Sequence, residues 1–268
     1  MKNNLPIGIF DSGLGGLTVL KSLQQLLPHE SFIYIGDTAH VPYGNKSKDV
    51  VRKYSQQITK FLIKKNVKLI VVACNTASSV AIRILQKKFK TPIIDVISPL
   101  QNLLDIDEYK KIKKIGIIGT YNTIQSKAYN RVLSLNNKNI IIVSKACPLF
   151  VPIIEEGFDN HDITKSVAHQ YLKYFNDEKI DLLVLGCTHY PIILKTIQNV
   201  LFKHIKIVDS ALITAQYVKN FLIKQNLGVS VTKNGTITLM VTDKVLHFRK
   251  FAQYILNDQK LDIKEINI

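Results

Sequence analysis

A chain of 268 residues with 46% hydrophobic content is long enough to bury one large core or two modest ones, and its composition is that of a globular protein. Its apolar runs are too short to span a bilayer and its start lacks the basic-then-apolar layout of a signal peptide, so a soluble, cytoplasmic protein without a membrane partner is expected. The net charge of +16 would favour a nucleic-acid partner if the lysines were organised, but they are scattered without a recognisable module or aromatic platform, which leaves a solvated basic surface and no required nucleic acid.

In chain order, short β-rich runs alternate with longer helical patterns. "LPIGIFD", "SFIYIGD", "KLIVVACN" and "TPIIDV" read as buried strands, separated by helices around residues 15 to 27, 47 to 65 and 77 to 90. Residues 98 to 114, acidic "DIDEY" followed by basic "KKIKK", carry a crossover. The rhythm then restarts with "IKKIGIIGT", "NIIIVSKAC" and "IDLLVLGCT", with helices near 123 to 135 and 161 to 175. A tail adds "HIKIVDSA", a helix near 211 to 225, "TITLMVTD" and a last helix near 245 to 256. The alternation predicts an α/β fold of two pseudo-symmetric, doubly wound lobes, residues 1–97 with 210–268 and residues 98–209, with the active site between them.

The lobes also resemble each other. "IGIFDSG" is similar to "IGIIGTY", and "KLIVVACNTAS" to "DLLVLGCTHYP", at nearly matching offsets, as a weak internal duplication would produce. The tail has no counterpart in that register and is expected to return to complete the first lobe.

Three cysteines, Cys74, Cys147 and Cys187, form no CxxC pair, which argues for reduced thiols over a disulfide framework or a zinc ribbon. Cys147, in an apolar setting before Pro148, is assigned to packing. Cys74 and Cys187 fall at the carboxyl ends of predicted strands, where open α/β sheets bind ligands, and each is followed at once by hydrogen-bonding side chains. A metal site on Cys74, Cys187 and His189 lacks an announced fourth ligand, and a nucleophilic cysteine with His189 as base leaves its twin unexplained. Inverting a carbon stereocentre uses both thiols, one removing a proton from one face while the other returns one to the opposite face. A small chiral acid is the natural substrate.

Other segments supply groups for such a ligand. "FDSGLGG" puts Asp11 and Ser12 at the end of the first strand, before glycines and a helix start that suits an anion. "GDTAHVPYGNKS" sets Asp37, Thr38, Tyr43 and Gly44 after the second strand, and Asn75 and Thr76 follow the first thiol.

Together these segments resemble glutamate racemases over nearly the whole chain, through "FDSGLGG", "YIGDTAHVPYG", "VVACNTAS", "CPLFVPIIEEG" and "LGCTHYP" in the family's order. The resemblance implies that Cys74 and Cys187 are the catalytic acid/bases, Cys74 taking the α-proton from D-glutamate with Asp11 as helper and Cys187 taking it from L-glutamate with His189. It implies a substrate site of Asp11, Ser12, Tyr43, Gly44, Asn75, Thr76, Thr188 and His189, auxiliary roles for Asp37 and Glu155, and no metal or other cofactor. It further implies a cytoplasmic isomerase that supplies D-glutamate to peptidoglycan, in cell-wall biogenesis and cell shape. His40 departs from the arginine expected in many relatives, and Leu212 and Ile213 stand where relatives are often more polar. An aspartate or other amino-acid racemase, or a non-catalytic basic binding protein, are the rival readings, and a homodimer is left open by the sequence.

Overall fold

The computed structural model describes residues 4–230 and 233–268. The first half runs β1 (Ile7–Asp11), α1 (Leu17–Leu26), β2 (Phe32–Gly36), α2 (Lys48–Lys64), β3 (Leu69–Val72), α3 (Asn75–Lys88) and β4 (Ile93–Asp95). Two 3-10 segments, Ser98–Asp105 and Asp107–Tyr109, occupy the predicted crossover. The second half runs β5 (Lys114–Gly119), α4 (Tyr121–Gln125), α5 (Ala128–Leu133), β6 (Ile141–Ala146), α6 (Phe150–Glu155), α7 (Asp162–Asp177), β7 (Leu182–Gly186), α8 (Leu194–Val200) and β8 (Lys206–Asp209). The chain then adds α9 (Ser210–Lys224), β9 (Ile237–Val241), α10 (Val245–Leu256) and β10 (Ile263–Glu265).

The strands form a six-stranded sheet, β10-β9-β2-β1-β3-β4, and a four-stranded sheet, β6-β5-β7-β8. Every pairing is parallel. Parallel strands covered by helices on both faces need continuous apolar sequence, and β1, β3 and β7 are buried at every position. The edge strand β6 is the contrast: its first residue, Ile141, is exposed and the rest are only partly buried. Amphipathic helices cover the sheets. In α2, capped by Ser47, residues Val51, Ser55, Ile58, Thr59 and Leu62 make one buried face at helical spacing.

The order β2-β1-β3-β4 is repeated as β6-β5-β7-β8, which corrects one expectation. "HIKIVDSA" does have a counterpart: β8 pairs with β7 as β4 pairs with β3. Its short, half-exposed, Lys-led sequence disguised the match. The return to the six-stranded sheet is made by β9, which pairs with β2, and by α9 and α10, which pack on α1.

Two local readings also change. The helix expected near 123 to 135 is broken into α4 and α5. Thr120 starts α4 early by accepting from Thr123 N, and Ser126 Oγ accepts from Ala128 N across the break, where Lys127 takes a left-handed conformation at φ 53°. β10 was not anticipated, because "IKE" has too few apolar positions to announce a strand. Leu212 is exposed on α9, whereas Ile213 packs partly against the core.

Candidate active site

Each sheet changes winding direction once, between β1 and β3 in the larger and between β5 and β7 in the smaller, and ligands of such sheets bind beyond the carboxyl ends of those strands. The residues just past these ends are Ser12, Cys74, Thr120 and Cys187. All of them line one cavity of about 250 Å³, together with Tyr43, Gly44, Asn75, Thr76, Glu155, Thr188 and His189. A larger groove of about 670 Å³ runs along α3 past Arg52, Arg83 and Arg131, but it holds neither Cys74 nor Cys187. Size is outweighed here by chemistry.

Cys74 is the N-cap of α3 and accepts from Ala77 N at 3.4 Å. Its thiol donates to Ser12 Oγ at 3.7 Å. Burial, reinforced by the nearby Asp11 carboxylate, pushes this thiol up to about 12, against the opposing bonds from Ala77 and Ser12. At neutral pH it is a proton donor. Asp11 does not itself line the cavity; it lies fully buried behind Ser12, with Oδ2 accepting from Gly13 N at 2.9 Å and Oδ1 without a partner among the described residues. Burial raises its pKa, countered by His189 and by the Gly13 and Gly16 amides.

Cys187 sits in a different environment. Its Sγ is 3.8 Å from His189 Nδ1, and His189 Nε2 is 2.9 Å from Glu155 Oε1. Glu155, to which the resemblance gave an auxiliary role, is the outer member of a thiol–imidazole–carboxylate relay. Burial disfavours a charged imidazole, but the bonds to Cys187 and Glu155 outweigh it and hold His189 up to about 10. Glu155 is correspondingly lowered: burial opposes this, yet the His189 bond and charge prevail, with help from His247 and Lys244.

Because His189 is raised in the fold above its ordinary value of 6.5, its contribution to stability is complete below that pH and is lost as pH climbs through about 10. Glu155→Gln removes one of the groups that raise it. The variant should therefore lose less stability than the parent between pH 7 and 10, measured by denaturant unfolding across that range, and the His189 resonance should titrate at lower pH. An unchanged titration would show that Glu155 does not govern the imidazole.

The remaining site residues divide into lining groups and supports. Thr76 Oγ1 lies 2.9 Å from Thr120 Oγ1 across the lobes, and Thr188 O accepts from Thr18 Oγ1 at 3.0 Å. Asp37 stands outside the cavity and supports it: it accepts from Tyr43 OH at 2.5 Å and from Thr242 Oγ1 at 2.9 Å. His40 also stays outside, 2.8 Å from Asp37 Oδ1 and stacked on Tyr54. Asn122 Nδ2 donates to Tyr43 O and Lys46 O, fastening the 41–46 loop to the opposite lobe. Cys147 is wholly buried, consistent with packing. Sequence reasoning missed Val41, Pro42, Asn45, Thr120, Pro148, Val151 and Pro152 on the cavity wall. Thr120 was recoverable, since "IGIIGTY" aligned on "IGIFDSG" sets it opposite Ser12.

Two related parallel sheets meeting at a pocket with one thiol from each describe a racemase of the α/β class. The family model for Asp/Glu/hydantoin racemases matches residues 7–218, and the chain belongs to that family of isomerases. The glutamate racemase of Chlorobaculum parvum is 42% identical over 264 residues, covering 98% of this chain and 96% of that one. Among solved structures, glutamate racemase from Francisella tularensis in complex with D-glutamate superposes with a TM-score of 0.91 at 41% identity, covering 99% of this chain and 98% of the other. Glutamate racemase from Thermus thermophilus in complex with β-chloro-D-alanine gives 0.88 at 38% identity, with 100% and 99% covered.

Proposed function

We propose that the protein interconverts L- and D-glutamate by two-base proton transfer, one thiol coming from each lobe, residues 1–97 with 210–268 and residues 98–209. The observation that carries this reading is that Cys74 and Cys187 follow equivalent strands of the two repeats and open on the same cavity. Cys187, assisted by His189 and Glu155, takes the α-proton of L-glutamate while the Cys74 thiol returns one to the other face. In reverse, Cys74 takes it from D-glutamate with Asp11 beside it. Each transfer moves one proton from carbon to sulfur and one from sulfur to carbon, so the cycle balances without a metal or an organic cofactor. Ser12, Tyr43, Gly44, Asn75, Thr76 and Thr188 bind the substrate, and Asp37 acts by holding Tyr43.

Glutamate is chosen over aspartate on the names of the relatives, and a cytoplasmic role in supplying D-glutamate to peptidoglycan rests on that choice. The test is α-proton exchange in deuterated water, using dialysed, chelator-treated protein with each amino acid. Racemisation of glutamate is expected, with kcat/KM exceeding that for aspartate by about 10–200-fold, the range one methylene commands in a fitted pocket. Equal values or a preference for aspartate would transfer the reading to the shorter substrate. No exchange with either would favour the binding-module alternative.

A further inference from the structure

Asn75 lines the cavity, yet half of its amide is already engaged. Tyr129 OH, on α5 of the opposite lobe, donates to Asn75 Oδ1 at 2.5 Å, and both side chains are buried. Asn75 Nδ2 is buried and has no partner among the described residues. The tyrosine ring beds against the end of β7, where a Cβ on Gly186 would come within 3.0 Å of it.

The phenol keeps its proton well above neutral pH. Burial is the main cause, with Asp95, Cys187 and Asp209 adding to it and a hydrogen bond from Ser210 opposing it. A neutral phenol has one proton to give. That proton goes to the Asn75 carbonyl, and the amide is held with its NH₂ as the free end.

We propose that Tyr129 is a positioning residue that sets the polarity of Asn75, so that the cavity presents an amide donor, and not an acceptor, to the carboxylate of the bound amino acid. Without the phenol the amide is free to turn over. Its carbonyl would then face a carboxylate, exchanging an attraction for a repulsion. The contact also crosses the lobes, since Asn75 opens α3 and Tyr129 lies on α5, so the donor is in place only while the lobes are docked. The substrate half of this proposal rests on the amino-acid racemase reading; the amide lock does not.

Tyr129→Phe keeps the ring and its packing. It is expected to raise KM about tenfold for both enantiomers, the loss of roughly one hydrogen bond to a charged group, while kcat in both directions falls equally and by less than threefold, with an unshifted pH profile. Asn75→Ala should raise KM similarly, and the double variant should be no worse than Asn75→Ala alone, because Tyr129 acts through that amide. A residue that merely held the fold would lower the unfolding temperature and kcat and would add to Asn75→Ala. The ligand-free protein supplies an independent reading: the Asn75 side-chain amide signals should move in Tyr129→Phe and stay in place in Tyr171→Phe. Unmoved amide signals, an unchanged KM or additive effects would each overturn the proposal. A wild-type protein that racemises neither glutamate nor aspartate, but whose Asn75 signals move in Tyr129→Phe, would refute the substrate reading and support the lock.

Discussion

Cys74→Ser and Cys187→Ser should each remove nearly all racemisation, by at least the 10²–10⁴-fold, roughly, that one general acid/base supplies. Inversion needs a proton taken from one face and another delivered to the opposite face, so neither thiol substitutes for the other. The residual chemistry should separate them. Cys74→Ser retains Cys187 with its His189–Glu155 relay, and should still exchange the α-proton of L-glutamate slowly in deuterated water. Cys187→Ser retains Cys74 and should exchange only D-glutamate, more slowly still, because Cys74 is held as a thiol near 12 and must first ionise beside Asp11. Cys147→Ser should be nearly silent, since its thiol is buried in a hydrophobic cluster and hydrogen-bonds to the Lys145 carbonyl. Circular dichroism on each variant separates loss of chemistry from loss of fold. Substantial racemisation by folded Cys187→Ser would end the two-thiol reading.

The asymmetry of the two thiols has a direction built into it. One sits against a buried carboxylate with no imidazole, and the other against an imidazole backed by a carboxylate. Environments that divide two like groups in this way assign them opposite starting roles. On the two-base reading proposed above, the Cys74 thiol serves as the acid when L-glutamate is the substrate, with Cys187 in the role of base.

Legibility in the sequence depends on which interactions are local. Buried parallel strands announce themselves as apolar runs, and β1, β3, β5 and β7 were read within about three residues for that reason. The thiols were legible because hydrogen-bonding side chains directly follow the strand ends. Glu155 was named only through the resemblance, since its meaning depends on His189, distant in the chain and 2.9 Å away in space. Tyr129 lay unremarked in a helix, because nothing within its own turn marks a hydroxyl that reaches across to the other lobe. β8 was misplaced as tail because a partly buried, Lys-led strand loses the apolar signature of its fully buried twin, β4. The contacts that make the cavity are tertiary, and periodicity reports none of them.

Gly15→Ala should cost about a hundredfold in kcat/KM and lower the unfolding temperature as well, as an overpacked contact does. Gly15 has an ordinary backbone conformation, so alanine brings no local strain; the conflict is with the other lobe. A Cβ there would lie 2.3 Å from Thr188 Oγ1 and 2.4 Å from His189 Nδ1. His189 has no easy retreat, because Nδ1 is bonded to Cys187 and Nε2 to Glu155. Nor can the start of α1 swing away alone, since the single Thr18 hydroxyl proton is shared between Gly15 O at 2.9 Å and Thr188 O at 3.0 Å. The methyl group must therefore break the relay or wedge the lobes apart, and a misplacement of about 1 Å at a reacting group is worth roughly 10²-fold in rate. The two routes differ in their kinetics. A broken relay slows α-proton exchange from L-glutamate more than from D-glutamate, because it is Cys187 that takes the L-enantiomer's proton, whereas wedged lobes raise KM for both enantiomers alike. Gly228→Ala is the control, as no atom of the described residues beyond its chain neighbours lies within 4 Å of its Cβ position. Wild-type rates in Gly15→Ala would mean that catalysis does not require the Thr188–His189 segment to lie this close to α1, and the relay would lose its assigned role.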